Sequence, residues 1–225
     1  MYDVKLPNID WLRQRGSLDK FFAADPAAEQ DLIMFYGASN FTRWSEKWGH
    51  RPLEEDIRRK DGSRAAVNHG FGTSTSEELL YYYSRLVRPW KPRALVLSCF
   101  GNGIAAGYSA GEVMACNARV LDWARHDFPG IRLYLCNCHP NTTAPNALRV
   151  AARVEYNELV RDYCLRHDDT TLVDATTFPA LWEEGHMGQY DHPRPELYVE
   201  DHVHFNQAGY DVYRDFFLQA LDDIL

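Results

Sequence analysis

The sequence predicts an α/β fold: a mostly parallel, five-stranded sheet with helices on both faces, in a three-layer α/β/α arrangement. Two observations carry this. Short apolar runs of the size of buried strands alternate along the chain with longer segments of helical periodicity. The first three runs are also followed by loops rich in Gly, Ser or Asn, the punctuation expected between a strand and the next helix. The chain has 225 residues, enough for one large domain. A domain of that size buries roughly 70–75% of its unfolded surface, so it needs no disulfide or structural metal to fold.

Residues 1–30 read as an N-terminal helical arm. Asn8 is a candidate cap for a helix over about 9–23, with Ile9, Leu12, Phe21 and Phe22 among its apolar positions. Gly16 weakens that helix, and Pro26 ends it. The first strand is predicted at 31–36, closed by Gly37. A polar stretch, 43–64, separates it from a short second strand around 65–68. A helix then starts near Ser76, where Ser74-Thr75-Ser76 precedes two glutamates. The third strand is predicted at 94–98, with Pro92 just before it where a proline is tolerated. A helix over about 110–125, a fourth strand at 131–135, a long helix over about 146–166 and a weaker strand at 171–174 follow. Residues 175–200 lack clear periodicity and contain Pro179, Pro193 and Pro195. The last helix starts near Asn206 and runs to the C-terminus.

Composition excludes several classes. Lys and Arg number 24 against 32 Asp and Glu, a net charge of −8. That balance argues against nucleic acid, whose phosphates call for a basic face. Aromatic residues are 13% of the chain, too many for a disordered one. No window approaches the roughly 18 uninterrupted apolar residues of a membrane span, and the first residues do not read as a signal peptide. Five cysteines, Cys99, Cys116, Cys136, Cys138 and Cys164, lie in apolar periodic segments. They are expected to be reduced thiols, which together with the missing signal peptide points to a cytoplasmic protein. The two glycosylation sequons, at Asn40 and Asn141, are read as chance. Cys136-Asn137-Cys138-His139 lacks zinc-knuckle spacing and a second ligand pair, so it reads as structural thiols at a strand end, with Asn137 and His139 open to lining a pocket. Trp44, Trp90 and Trp182 and the run Tyr81-Tyr82-Tyr83 read as core and helix packing. Residues 183–200 are either a lid or a solvated loop.

In a doubly wound sheet, ligands bind at the carboxyl ends of the strands, so the loops there are the places to look. After the first strand comes Gly37-Ala38-Ser39-Asn40. A serine on that turn has an exposed hydroxyl and sits near a helix N-terminus, which favours developing negative charge. Taken alone, Ser39 reads more readily as a helix cap. After the second strand, His69-Gly70-Phe71-Gly72-Thr73 lets backbone N–H groups approach a ligand. After the third, Gly101-Asn102-Gly103 offers a side-chain amide that can donate to an oxyanion, although Asn-Gly alone is a turn signal. Near the C-terminus, Asp201 and His204 lie three apart just before a helix. One turn lets the carboxylate reach one imidazole nitrogen while the other faces outward, as a serine nucleophile requires. A metal site of Asp201, His202 and His204 ranks low, because adjacent ligands on so short a span rarely converge.

Together and in this order, the four blocks resemble the SGNH hydrolases, also called GDSL-like lipases and acylhydrolases, over about residues 31–225. The histidine block, Glu200-Asp201-His202-Val203-His204-Phe205-Asn206-Gln207-Ala208-Gly209-Tyr210, is the most specific. The resemblance implies the flavodoxin-like fold of that family and hydrolysis of an ester or thioester through an acyl-serine. It implies Ser39 as nucleophile, His204 as general base and acid, and Asp201 as the residue orienting His204. The oxyanion hole it implies comprises the Ser39 N–H, a backbone N–H of Gly72 or Thr73, and the side chain of Asn102. No cofactor and no metal are implied, and the partner is a small acyl ester. Acyl transfer to an alcohol by the same residues, and a silent binding domain on the same fold, stay open. Three positions depart from the family pattern. Ala38 stands where an acidic residue is frequent, Thr73 aligns with the usual glycine donor, and Gly103 stands where Asp usually follows the asparagine. A threonine at position 73 is strained if the site needs positive φ, and loss of the aspartate is expected to loosen Asn102 or to accompany a rebuilt loop.

Overall fold

The computed structural model describes residues 18–141 and 147–225. Five strands form one parallel sheet: β1 (Ile33–Gly37), β2 (Ala66–Gly70), β3 (Ala94–Ser98), β4 (Arg132–Cys136) and β5 (Thr170–Val173), in the order β2-β1-β3-β4-β5. Each pair is parallel and in register, with Phe35 beside Asn68 and Val96. The predicted fold class is therefore borne out, and each strand lies within two residues of its expected ends.

Side chains alternate across a strand, and β1 displays both layers at once. Phe35 meets Phe217 of the last helix, α7 (Gln207–Ala220), edge-on at 5.0 Å. Its neighbour Tyr36 points the other way and donates to the Leu79 carbonyl of α3 (Ser76–Leu86) at 2.6 Å. On that second face α3 packs beside α5 (Ala110–Asp127), and α5 beside α6 (Ala147–Leu165). The first face carries α7 together with the short helices α1 (Ser39–Thr42) and α2 (Leu53–Asp56). A further short helix, α4 (Gly101–Ala105), follows β3 where the sequence suggested only a turn.

The start of α3 follows the capping chemistry read from sequence, and the structure adds caps on α5 and α7. Thr75 and Glu78 form a capping box on α3, and Ser109 and Glu112 form one on α5. Asn206 caps α7 by accepting from the Gly209 N–H at 3.0 Å. Within the polar stretch the structure adds α2 and a 3₁₀ turn at Glu46–Trp48. The expected arm helix lies outside the described residues up to 17, and residues 18–23 are helical. Leu18 and Phe21 are buried in the common core, and Phe21 rests on His69 at 4.6 Å, so this segment packs on its own sheet. Trp44, Trp90 and Trp182 are all core. Residues 175–200 are anchored by buried Leu181, Trp182, Tyr190 and Leu197 and by a bridge between Trp182 and Pro193. Among the described residues, no helix is long and apolar enough to cross a membrane.

Two glycines set how closely the first layer approaches the strand ends. A Cβ on Gly37 would lie 2.4 Å from the Ser98 carbonyl oxygen, and one on Gly70 would lie 2.6 Å from the Thr42 backbone nitrogen and the Phe41 Cβ. Alanine fits neither place unless backbone moves. Gly70→Ala is expected to destabilise the fold by about 2 kcal/mol, the scale of core overpacking. Gly101→Ala, where a Cβ meets nothing within 4 Å, is expected to change stability little. Urea denaturation of both variants checks the contrast.

Candidate active site

The carboxyl ends of β1, β3 and β4 open onto a cavity of about 90 Å³ lined by residues 38–41, 98–102, 136–139, Asn141, Arg153 and Val203. Ser39 is the first residue of α1, so its N–H has no partner within the helix. The peptide turns sharply before it, with Ala38 at φ −94° and ψ −148°. Two contacts from other elements hold α1 in place, and a third holds the residue just beyond it. The Asn68 side-chain amide on β2 donates to the Phe41 carbonyl at 2.6 Å. The Tyr210 hydroxyl on α7 donates to the Asn40 carbonyl at 2.9 Å. The Trp44 ring stacks on Tyr210 at 5.5 Å.

Asp201 and His204 come from a loop that folds back on itself. The Val199 N–H donates to the His204 carbonyl, and the His202 N–H to the Val199 carbonyl, each at 2.9 Å, with His202 in the left-handed region at φ 61°. Asn206, besides capping α7, donates to the Glu196 carbonyl at 2.8 Å. The turn brings both N–H groups of Val203 and His204 onto Asp201 Oδ1 at 2.9 Å. His204 Nδ1 donates to Asp201 Oδ2 at 2.7 Å, which leaves Nε2 unprotonated to accept from Ser39 Oγ at 2.8 Å. The three residues named from sequence thus form one chain of hydrogen bonds.

Burial pushes the Asp201 carboxyl up, but the two backbone donors and the imidazole outweigh it and hold the group well below the carboxylate range. His204 is lowered from 6.5, first by burial and next by the Arg43 guanidinium, against the raising effect of Asp201. Arg43 follows α1 and donates to Asp201 Oδ2 at 3.0 Å, the same oxygen that receives the imidazole N–H. It also lies over the Trp48 ring at 4.4 Å.

Asn102 lies in α4 and lines the cavity, with one amide hydrogen on the Ser74 carbonyl at 2.9 Å. Its second amide hydrogen is the candidate oxyanion donor. Gly103, the position after Asn102, is buried, and a Cβ there would lie 2.7 Å from Val113 Cγ2. Gly72 and Thr73 sit in the turn after β2, which the Phe71 N–H ties to the Gly37 carbonyl at 3.0 Å, and they do not line the cavity. Thr73 has φ 63°. The condition for strain is met, since a β-branched residue is disfavoured in that region.

Sequence reasoning left Asn137 and His139 open as pocket residues, and both line it with Cys136 and Cys138. The cysteines are buried and unpaired, and burial raises both thiols. His139 is pushed down to about 3 by burial, Arg153 and His204, so it is neutral and its Nε2 accepts from Asn40 Nδ2 at 2.6 Å. Arg43 and Arg153 were missed, because in sequence each is one basic residue among many. Residues 183–200 do not line the cavity. Among the described residues, no group of three or more His, Cys, Asp or Glu is placed to hold a metal.

Residues 31–212 match the GDSL-like lipase/acylhydrolase family. In overall shape the chain is similar to a Bacteroides fragilis protein named as a candidate acylhydrolase, with 18% identity, 95% of this chain and 98% of that one covered, and a TM-score of 0.70. A GDSL-like lipase from Bacteroides thetaiotaomicron follows at 16% identity, 96% and 100% coverage and 0.68. AlinE4, an SGNH-hydrolase family esterase, is 21% identical with 88% and 97% covered and 0.58. At these identities the likeness concerns the fold. No curated protein matches the sequence.

Two outcomes follow from this geometry. Replacing Arg43 by Gln removes a charge that lowers His204, so the imidazole should titrate at higher pH than in the wild type; NMR titration of the His204 ring measures it. Thr73→Gly removes the left-handed strain and is expected to stabilise the protein by about 0.5–1 kcal/mol in urea denaturation, part of the relief being offset by the freer unfolded chain.

Proposed function

The chain belongs to the GDSL-like lipase/acylhydrolase family, and from that premise we propose that it hydrolyses a carboxylic ester or thioester through an acyl-serine, with Ser39, His204 and Asp201 as its triad. One observation carries the reading: His204 accepts from Ser39 through Nε2 at 2.8 Å while it donates to Asp201 through Nδ1 at 2.7 Å. That is the arrangement a serine needs to lose its proton as it attacks.

Ser39 Oγ attacks the acyl carbonyl, and its proton passes to His204 Nε2. The imidazolium that forms is stabilised by the ionised Asp201, which two backbone donors and Arg43 hold in place. The carbonyl oxygen becomes an oxyanion, for which the proposed donors are the Ser39 N–H and the second amide hydrogen of Asn102, the two that line the cavity. Collapse breaks the bond to the alcohol or thiol, which takes the proton from His204. Water then repeats the sequence on the acyl-enzyme, and His204 again serves as base. No step calls for a metal or cofactor.

A fluorophosphonate probe and intact-mass measurement test the reading. Wild type should gain one adduct and Ser39→Ala none, and the labelling rate should halve at a pH below 6.5, because the folded His204 is lowered from that value and only its neutral form is a base. Asp201→Asn should keep the fold and lose about 10³–10⁴ in turnover of an activated ester, the scale seen when a triad acid is neutralised elsewhere. A well-folded wild type that takes no adduct would rule the acyl-serine out and point to a binding domain.

A further inference from the structure

The cavity beside Ser39 carries an unmatched charge. Among the described residues that line it, Arg153 on α6 is the one with a formal charge at neutral pH, since His139 is held neutral and no Asp or Glu lines the cavity. Arg153 makes no hydrogen bond or ion pair among the described residues. Its guanidinium rests 5.5 Å from the centre of the Tyr190 ring, a contact that supports the cation without neutralising it. Its charge reaches the cavity wall, where it lowers His139 and the thiol of Cys138.

The nearby carboxylates are committed elsewhere. Asp174 receives Asn137, Thr176 and Arg161. Asp201 receives Arg43, His204 and two backbone N–H groups. In a chain of net charge −8, Arg side chains find partners readily, as those of Arg51, Arg125 and Arg214 do. A guanidinium that lines the reaction cavity with no hydrogen bond or ion pair among the described residues is a donor set open to something from outside, and its planar fork matches a carboxylate or phosphate.

We propose that Arg153 forms an anion subsite and that the preferred substrate is an ester or thioester carrying a carboxylate or phosphate. The inference rests on the acylhydrolase reading of the same site and adds the charge of its substrate. A cavity of about 90 Å³ holds a short chain, so the anion lies a few bonds from the scissile carbonyl.

Matched esters test it. Mono-4-nitrophenyl adipate against 4-nitrophenyl hexanoate places the anion on the acyl side, and 3-carboxyphenyl acetate against phenyl acetate places it on the leaving group. In one of these pairs, wild type should favour the anionic member in kcat/KM by about tenfold or more, the scale of one charge-assisted contact. Arg153→Gln should collapse that preference, Arg153→Lys should keep part of it, and rising salt should weaken it. Wild type with no preference for either anionic ester, or a preference that survives in Arg153→Gln, overturns the proposal. Titration calorimetry of the same two anionic esters into Ser39→Ala, with and without Arg153→Gln, separates this from the acyl-serine reading. Binding that depends on Arg153 in a protein that takes no fluorophosphonate keeps the subsite and discards the hydrolase. Ester turnover that is blind to charge does the reverse.

Discussion

One imidazole bridging two segments 165 residues apart in sequence is the constraint on which the rest of the site depends. His204 must reach a hydroxyl with one nitrogen and a carboxylate with the other, and hydrogen bonds tolerate only a few tenths of an ångström. Neither segment is long enough to hold its own position. α1 is a single turn, and the 199–206 loop is irregular. Their register comes from outside: Asn68 holds the end of α1, Tyr210 holds its Asn40 carbonyl, and Asn206 holds the loop on the start of α7. Arg43 then closes the circuit directly, running from just after α1 to Asp201.

Arg43 also shows how the same contact acts on position and on charge. It lies on the oxygen of Asp201 that faces the imidazole, so it competes for the electron density that would stabilise an imidazolium. Burial is the larger cause, and together with Arg43 it leaves His204 lowered from its ordinary value against the pull of Asp201. A base with lowered pKa is weaker, yet it stays unprotonated further into acid. The protein thus exchanges some basicity for a fixed geometry and a wider pH range in which Nε2 is free to accept a proton.

Much of this was legible in the sequence because a parallel sheet is locally encoded. Each strand is a short apolar run, the longer helices α3, α5 and α7 start at side-chain caps, and the first three strand ends coincide with the Gly, Ser and Asn blocks. What was not legible depends on three-dimensional neighbours. α4 follows from the packing of Gly103 against Val113, and Asn102-Gly103 alone reads as a turn. Arg43 and Arg153 read as ordinary surface cations, since nothing local says that one meets Asp201 and the other meets the cavity. Where the helical residues 18–23 pack is likewise a matter of three-dimensional neighbours, Phe21 resting on His69 of the chain's own sheet.

The departures from the family pattern at positions 73 and 103 have different physical standing. At Gly103 there is no room for a side chain, because Val113 occupies the space; the Asn102 amide is held instead through the Ser74 carbonyl. Asn102 thus has a support of its own in the Ser74 carbonyl, which leaves its second amide hydrogen as the proposed donor. Thr73 has no such compensation in its backbone, which remains at φ 63° with a β-branched side chain. Its hydroxyl donates to the Gly72 carbonyl at 2.6 Å, a local bond that favours the tight turn. Strain of this kind persists only where the surrounding structure over-determines it. Here the Phe71 N–H on the Gly37 carbonyl fixes the turn from one side, and the Asn102 amide on the Ser74 carbonyl fixes it from the other. The two anchors belong to the loops that carry the proposed nucleophile and the proposed oxyanion donor, so the strained turn lies between two anchored parts of the same site.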